Sequence, residues 1–305
     1  MLKDRYGRII TNLRIAITNR CNLRCFYCHR EGEKNPEGEI SAERIVEIAK
    51  AFYELGIKKL KITGGEPLLR RDLFEILQNL PDFKEVSITT NGTLLADKAY
   101  ELKECGLDRV NVSLDTLNAE KYRFITGGNI ERVLDGIEQA CNADLTPVKV
   151  NMVVLRGIND SEVDEMLRFV SSFNRRGVKA ILQVIELLRT PELERYYYDI
   201  SKIEKRFAKE AYAVKIRSMH RRRQYWLERG VIEFVKPDCE FCMNCNRIRV
   251  TSDGKIKPCL MSNEIIDITG LHGRDLINAI KRAVMLRKPY FCEIQSQSSS
   301  FSSKL

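Results

Sequence analysis

The sequence predicts an α/β fold built around a parallel sheet. Three observations predict it. Short runs rich in Val, Ile and Leu recur up to residue 187, each leads into a helical stretch, and six such strand-then-helix units stand in tandem. Strands buried on both faces read as apolar runs, and alternating β and α elements imply a parallel sheet. Six units suit an open doubly wound sheet or a curved partial barrel. In either case ligands belong at the C-terminal ends of the strands.

The first strand is LRIAIT (13–18). A polar loop follows, then SAERIVEIAKAFYELG, a helix with Ser41 as N-cap and Gly56 at its close. KLKIT (59–63) precedes a helix over 71–80, and VSITT (86–90) precedes one from Leu94 to near Gly106. RVNVSL (109–114) precedes a helix over 130–142, VKVNMVVL (148–155) precedes SEVDEMLRFVSSF, and ILQVIEL (181–187) is the sixth strand. From about residue 195 the pattern changes. AYAVKIRSM and GVIEFVK read as antiparallel strands, RIRVTSDGKIKPCL as a hairpin turning at Asp253-Gly254, and 273–286 as a helix. The tail IQSQSSSFSSKL is serine-rich and expected to be disordered. The expected division is 1–195, 196–290 and a tail over 291–305.

The chain's 305 residues allow one large domain or two ordinary ones. Hydrophobic residues at 44% and charged residues at 30% fit a soluble globular protein. No apolar run approaches the roughly 18 residues a membrane span needs. The start MLKDRYGRII carries no apolar signal region, so a cytoplasmic location is expected. A net charge of +9 suits nucleic acid, an acidic membrane surface or a polyanionic small molecule. Much of it is spread singly along helices; HRRRQYW (220–226) and NRIR (246–249) are denser.

Ten cysteines in such a chain argue against a disulfide framework and for metal ligands or catalytic thiols. Cys105 and Cys141 read as small buried hydrophobes, and Cys292, in the polar tail, has no assigned role. The stretch CNLRCFYC supplies Cys21, Cys25 and Cys28. Structural zinc and complete iron–sulfur clusters take four ligands. Three thiols therefore suggest an incomplete shell, with one iron of a four-iron cluster open to another molecule. His29 could instead complete a Cys3His zinc site, but the loop after a first βα strand is a functional end rather than a peripheral staple. A second set, Cys242, Cys245 and Cys259, again numbers three. Cys239 could complete a four-thiolate shell there, suiting zinc or a closed electron-transfer cluster, or it is a bystander.

The second strand ends in TGGEP (63–67). Gly64 and Gly65 let the backbone approach a ligand, and Glu66 can accept from an ammonium group. The spacing Cys-x3-Cys-x2-Cys, with aromatic Tyr27 before the last cysteine and TGGEP one strand later, resembles the radical S-adenosylmethionine (SAM) enzymes. The resemblance implies that the amine and carboxylate of SAM chelate the open iron and that its reductive cleavage yields a 5′-deoxyadenosyl radical, with the protein binding, orienting and excluding water. It also implies that Ser113, in NVSLD, lies near the cofactor beside Tyr27, Gly64, Gly65 and Glu66.

Within those enzymes the second cysteine set, NRIR and TSDGKIKPCL resemble the GTP 3′,8-cyclase family of molybdenum cofactor biosynthesis, over about Leu13 to Arg287. This resemblance implies an incomplete (β/α)6 TIM-like barrel with a smaller C-terminal α+β domain, two [4Fe-4S] clusters, and a second open iron that binds the purine of GTP. Arg247 and Arg249 alternate on a strand, so both face one side and would grip the triphosphate. Arg14, Lys61, Thr89 and Lys149 match further nucleotide contacts. A cation inside an apolar strand is costly unless an anion meets it, which favours that reading for Arg14 and Lys149. The implied activity is a lyase reaction. Hydrogen abstraction from the ribose 3′ position would give (8S)-3′,8-cyclo-7,8-dihydroguanosine 5′-triphosphate, with no protein side chain assigned a catalytic role. The implied partners are GTP, a low-potential electron donor, the next enzyme of cofactor synthesis and a second copy of the chain, with no membrane and no nucleic acid. Gln183 stands where the family has an arginine, Leu188 where it often has a methionine, and the chain ends SSKL rather than in two glycines. Two rival readings are a two-cluster enzyme modifying a peptide, which needs no triphosphate clamp, and a zinc-ribbon nucleic-acid binder, which explains neither the βα units nor TGGEP.

Overall fold

The computed structural model describes residues 1–33 and 36–292, so the expected disordered tail lies, from residue 293 on, outside the described residues. The six βα strands form as β1 Asn12–Ala16, β2 Lys59–Thr63, β3 Glu85–Thr90, β4 Arg109–Ser113, β5 Val148–Val154 and β6 Ala180–Glu186. They pair in sequence order and all in parallel. The intervening helices are α1 Ala42–Glu54, α2 Leu73–Asn79, α3 Ala99–Glu104, α4 Ala119–Thr126, α5 Glu131–Asn142 and α6 Val163–Ser171.

Alternation along each strand separates two environments. Leu13 and Ile15 of β1, Leu60 and Ile62 of β2 and Val110 and Val112 of β4 are buried in the apolar core that the helices cover. The residues between them, Arg14, Lys61 and Asn111, turn to the opposite, inner face. α1 shows what fastens the outer layer. Ser41 caps it, its Oγ accepting from the Arg44 amide at 3.2 Å, and Ile45, Ile48, Ala49 and Phe52 are buried along one stripe. Each such large apolar side chain contributes about 1.5–3 kcal/mol.

After β6 come α7 Ser201–Glu210, β7 Ala213–Ile216, β8 Arg223–Leu227, β9 Gly230–Val235, α8 Cys239–Met243, β10 Arg247–Val250, β11 Lys255–Lys257, β12 Ile266–Asp267 and α9 Gly273–Met285. These strands join the barrel sheet at both edges, giving the order β12-β11-β10-β1-β2-β3-β4-β5-β6-β9-β8-β7. β10 runs parallel to β1 and β9 parallel to β6. The barrel stays open, since β12 and β7 do not pair. The expected hairpin at Asp253-Gly254 is the β10–β11 turn, with the Thr251 amide donating to Lys255 O at 2.8 Å. α4, α7 and β8 were not anticipated. β8 lies in the charged run RRRQYW, whose alternate residues face a buried carboxylate rather than water.

Candidate active site

The loop after β1 carries Cys21, Cys25 and Cys28, all free thiols, at the C-terminal end of the sheet. Two sulfurs accept backbone amides, Cys21 from Leu23 and Cys28 from Arg30, each at 3.4 Å. α4 holds the loop from one side: the Arg24 amide donates to Thr126 O at 2.8 Å and the Phe26 amide to Ile125 O at 3.2 Å. Phe26 and Tyr27 pack on an apolar group of Ile125, Leu155 and Leu187. The Tyr27 hydroxyl donates to buried Asp115 Oδ2 at 2.5 Å, while Asp115 Oδ1 accepts the Val153 amide at 2.8 Å. Burial pushes the Asp115 carboxyl up to about 6.

TGGEP holds the loop from the other side. A Cβ on Gly64 would stand 2.4 Å from Thr18 O, and one on Gly65 2.1 Å from Arg20 O. The Gly65 and Glu66 amides donate to Thr18 O and Arg20 O, both at 2.7 Å. The glycines thus answer a close approach of the chain to its own cysteine loop. Glu66, expected to meet an ammonium group, is fully buried. Its carboxylate accepts from the Leu68 amide at 3.0 Å, Thr90 Oγ1 at 2.7 Å and the Asn91 amide at 2.6 Å, so it ties TGGEP to the end of β3. Burial nonetheless raises it to about 7. Ser113 and Thr89 are half-buried on the inner faces of β4 and β3.

Across the inner face, Lys257, Arg249, Arg14 and Lys61 are successive register partners on β11, β10, β1 and β2. Strands lie about 4.8 Å apart, so this is a row of like charges in a half-enclosed space. Arg14 and Arg249 both bind Glu31, whose Oε2 accepts from Arg249 Nη1 at 2.7 Å. Burial opposes the Glu31 charge, but Arg14 and Arg249 outweigh it and pull the carboxyl to about 2. Lys61 Nζ donates to Asn111 Oδ1 at 2.9 Å, and Arg247 Nη2 reaches Met219 Sδ at 3.3 Å. Among the described residues neither has a carboxylate within ion-pair distance. Burial, then neighbouring cations, push both well below their ordinary ranges.

Lys149 departs from expectation. Its Nζ donates to Glu233 Oε2 at 2.8 Å, with side chains 4% and 0% exposed, so the chain itself supplies the anion that the buried lysine requires. Arg222 Nη1 lies 2.8 Å from the other Glu233 oxygen. That gives the middle arginine of RRR an inward role, while Arg221 and Arg223 stay half-exposed beside Glu240. Gln183 lies opposite Glu233 in register.

The second set sits on and after α8. Cys242, Cys245 and Cys259 are free. Cys239 is disulfide-bonded to Cys292, which gives both a partner outside that set. Two arginines from the chain's ends support it: Arg8 Nη1 donates to Cys242 O at 2.7 Å and Arg287 Nη2 to Cys245 O at 2.8 Å, and both bind buried Asp4. Burial raises the Cys245 thiol, but Arg287, Arg247 and Arg8 together bring it below its ordinary value. Among the described residues no three His, Cys, Asp or Glu side chains converge as they would on a single metal ion.

Residues 15–170 match the Radical SAM superfamily model, and residues 181–292 match Molybdenum Cofactor Synthesis C. A relative from Archaeoglobus fulgidus named "Probable GTP 3′,8-cyclase" is 65% identical over 95% of this chain and 99% of that one. The chain belongs to the radical SAM superfamily. Two further relatives carry the same name. One from Methanocella arvoryzae is 48% identical over 95% of each chain, and one from Pyrococcus horikoshii is 46% identical over 95% of this chain and 98% of that one. Two solved structures are similar in fold. Streptococcus suis SuiB bound to precursor peptide SuiA superposes with TM-score 0.68 at 16% identity, over 89% of this chain and 64%, less than two thirds, of that one. Polyhistidine-tagged anSMEcpe with bound AdoMet gives 0.61 at 17%, over 88% and 80%. As a radical SAM chain this one carries residues that motif reading passed over: Glu31, Asp115, Arg222, Glu233 and Lys257. Lys257 ends the three-residue strand KIK beside a second lysine, Lys255, so it lacked the apolar surroundings that marked Lys149. The carboxylates had no local signal, because each has at least one partner remote in sequence.

Proposed function

We propose that this chain converts GTP to (8S)-3′,8-cyclo-7,8-dihydroguanosine 5′-triphosphate in the first step of molybdenum cofactor biosynthesis, as a radical SAM lyase. The observation that carries the reading is the inner cation group of Arg14, Lys61, Arg247 and Arg249, which faces one carboxylate, Glu31. Forked guanidiniums matched to phosphate oxygens suit a triphosphate. The relatives' shared name supports the same substrate.

The donor chemistry fits clusters at both sets: three free thiols each, with amides of Leu23 and Arg30 on the first set's sulfurs and the Phe291 amide 3.5 Å from Cys242 Sγ. Cys21, Cys25 and Cys28 would hold a four-iron cluster that binds SAM and, when loaded, supplies a 5′-deoxyadenosyl radical. Cys242, Cys245 and Cys259 would hold the second, facing the purine. Tyr27, Gly64, Gly65, Glu66 and Ser113 would shape the SAM side. Glu66 and the glycines act by fixing the loop, and Tyr27 acts through its bond to Asp115. Thr89 would line the nucleotide path, and Lys149 would set its floor while bound to Glu233. The apolar group around Leu155 and Leu187 would exclude water.

Residues 1–195 would serve as the SAM half and 196–290 as the second-cluster half. We place the enzyme in the cytoplasm as a homodimer, taking electrons from a low-potential donor and passing its product to the next biosynthetic enzyme. Among the described residues no helix is long and apolar enough to cross a membrane. The test is anaerobic reconstitution, then incubation with SAM, a reductant and GTP. About eight irons per chain and GTP-dependent 5′-deoxyadenosine are expected. Equal 5′-deoxyadenosine with and without GTP overturns the substrate assignment.

A further inference from the structure

Glu31 occupies ground that the proposed function gives to substrate phosphate. It follows Cys28 by three residues, in a turn where Arg30 and Glu31 both have left-handed backbones, with φ 46° and 53°. Non-glycine residues held there are strained and persist only where their surroundings fix them. Here the turn aims a carboxylate inward. Its Oε1 accepts from Arg14 Nη2 and, at 3.1 Å, from Thr63 Oγ1, and its Oε2 accepts from Arg249 Nη1 at 2.7 Å. One carboxylate thus bridges two arginines on adjacent strands, as two oxygens of a phosphoryl group would.

The segment carrying Glu31 also joins the two cysteine sets. It starts at Cys28. A Cβ on Gly32 would stand 2.9 Å from Leu260 O, next to Cys259. The Glu33 carboxylate accepts from the Ser252 amide and Oγ at 2.9 and 2.6 Å. Lys61 and Arg247, on the same inner face, have no carboxylate partner among the described residues.

We propose that Glu31 is an internal occupant of the phosphate subsite, paired with Arg14 and Arg249 until the phosphate chain of the substrate displaces it. The inference rests on the GTP reading only for which molecule bears the phosphates. A triphosphate has enough phosphoryl groups to replace the carboxylate on both arginines and also meet Lys61 and Arg247. Glu31 therefore sets the affinity of the site by competing for the same donors.

The test uses the full reconstituted chain without SAM and measures inorganic tripolyphosphate binding by equilibrium dialysis. The variants are Glu31→Gln, which keeps shape and loses charge, and Glu31→Asp, which keeps charge but is one methylene too short to span both arginines. If Glu31 must be displaced, both variants bind tripolyphosphate about tenfold tighter than wild type, or more, at unchanged iron content. Tightening in Glu31→Gln alone means simple repulsion by a nearby charge and overturns the proposal. Unchanged or weaker binding in both means a fixed clasp and overturns it as well. Should the variants fold poorly, a structure of the wild-type chain with tripolyphosphate decides: Glu31 still on Arg14 and Arg249 refutes the idea. GTP binding is read separately. Tripolyphosphate behaving as expected, with no added affinity from the guanosine part, would sink the GTP reading and leave Glu31's role standing.

Discussion

Gly65→Ala tests the claim that TGGEP is shaped around the cysteine loop. The added methyl would lie 2.1 Å from Arg20 O, 2.6 Å from Arg20 C and 2.8 Å from Asn19 O, all backbone atoms two residues or less from Cys21. Ordinary contact begins near 3.4 Å, so the two loops must part by about 1.3 Å, the difference between 3.4 and 2.1. Such a shift breaks the amide bonds from Gly65 to Thr18 O and from Glu66 to Arg20 O. Two hydrogen bonds at about 0.5–1.5 kcal/mol each, with about 1–3 kcal/mol for overpacking, give a loss of about 2–6 kcal/mol. The control is Gly157→Ala, which meets no atom within 4 Å and carries only the strain of its φ of +72°, about 1–2 kcal/mol. Urea unfolding of the metal-free, reduced chain reads the stability. Iron content after anaerobic reconstitution reads the loop, and Gly65→Ala should lose about half the iron while Gly157→Ala loses none. If Gly65→Ala is no less stable than the control and keeps its iron, the glycines do not serve the loop.

Three further outcomes follow from the same contacts. Glu233→Gln leaves Lys149 and Arg222 buried without their carboxylate and should lose about 3–5 kcal/mol in urea unfolding, with Lys149→Met in the same chain restoring a good part of it; a loss below about 1 kcal/mol would mean the pair holds nothing. Glu66 is raised to about 7, so the folded carboxyl keeps a proton that the unfolded chain, near 4.5, has released; stability is full below about pH 4.5 and declines as pH rises to about 7, by up to about 3 kcal/mol. Asp115, raised to about 6, adds in the same direction, and Glu66→Gln should flatten the Glu66 part of the slope between pH 5 and 8 in urea titrations. Cys239→Ser should reconstitute with wild-type iron because Cys239 pairs with Cys292, whereas Cys259→Ser should lose about half; a parallel loss in Cys239→Ser would place it among the ligands.

The six barrel strands were legible because burial on both faces writes itself as apolar runs, and the cysteine sets were legible because their members are close in sequence. β8 was hidden for the opposite reason. Its apolar face is only Tyr225 and Leu227, while Arg222 and Gln224 on the other face are polar because they meet Glu233, so RRRQYW reads as a surface charge run. Glu31 and Glu233 were hidden because each joins a nearer partner, Arg14 or Arg222, to a remote one, Arg249 or Lys149, 218 or 84 residues away, a relation with no local pattern. TGGEP was recognised for its glycines, yet sequence could not say that the backbone they approach is Thr18 to Arg20.

One rule, that a buried cation needs an anion, applied to Arg14 and to Lys149 alike, and the structure answers it in two ways. Around Glu233 stand Lys149 and Arg222, so two cations less one carboxylate leave +1, and the carboxylate is completely enclosed. Around Glu31 stand Arg14 and Arg249, with Lys61, Arg247 and Lys257 on the same inner face, so basic side chains outnumber the carboxylate by more than they do around Glu233. A net charge of one can be borne by residual solvation and neighbouring dipoles. A larger excess of basic groups in a half-enclosed barrel is a standing cost, since desolvated charges repel at effective dielectrics far below that of water. Such a cost persists where a polyanion removes it during function. The excess of basic groups therefore distinguishes the Glu31 group, where we propose that phosphate binds, from the Glu233 pair, which the shared residue types, an interior lysine or arginine in an apolar strand, could not do.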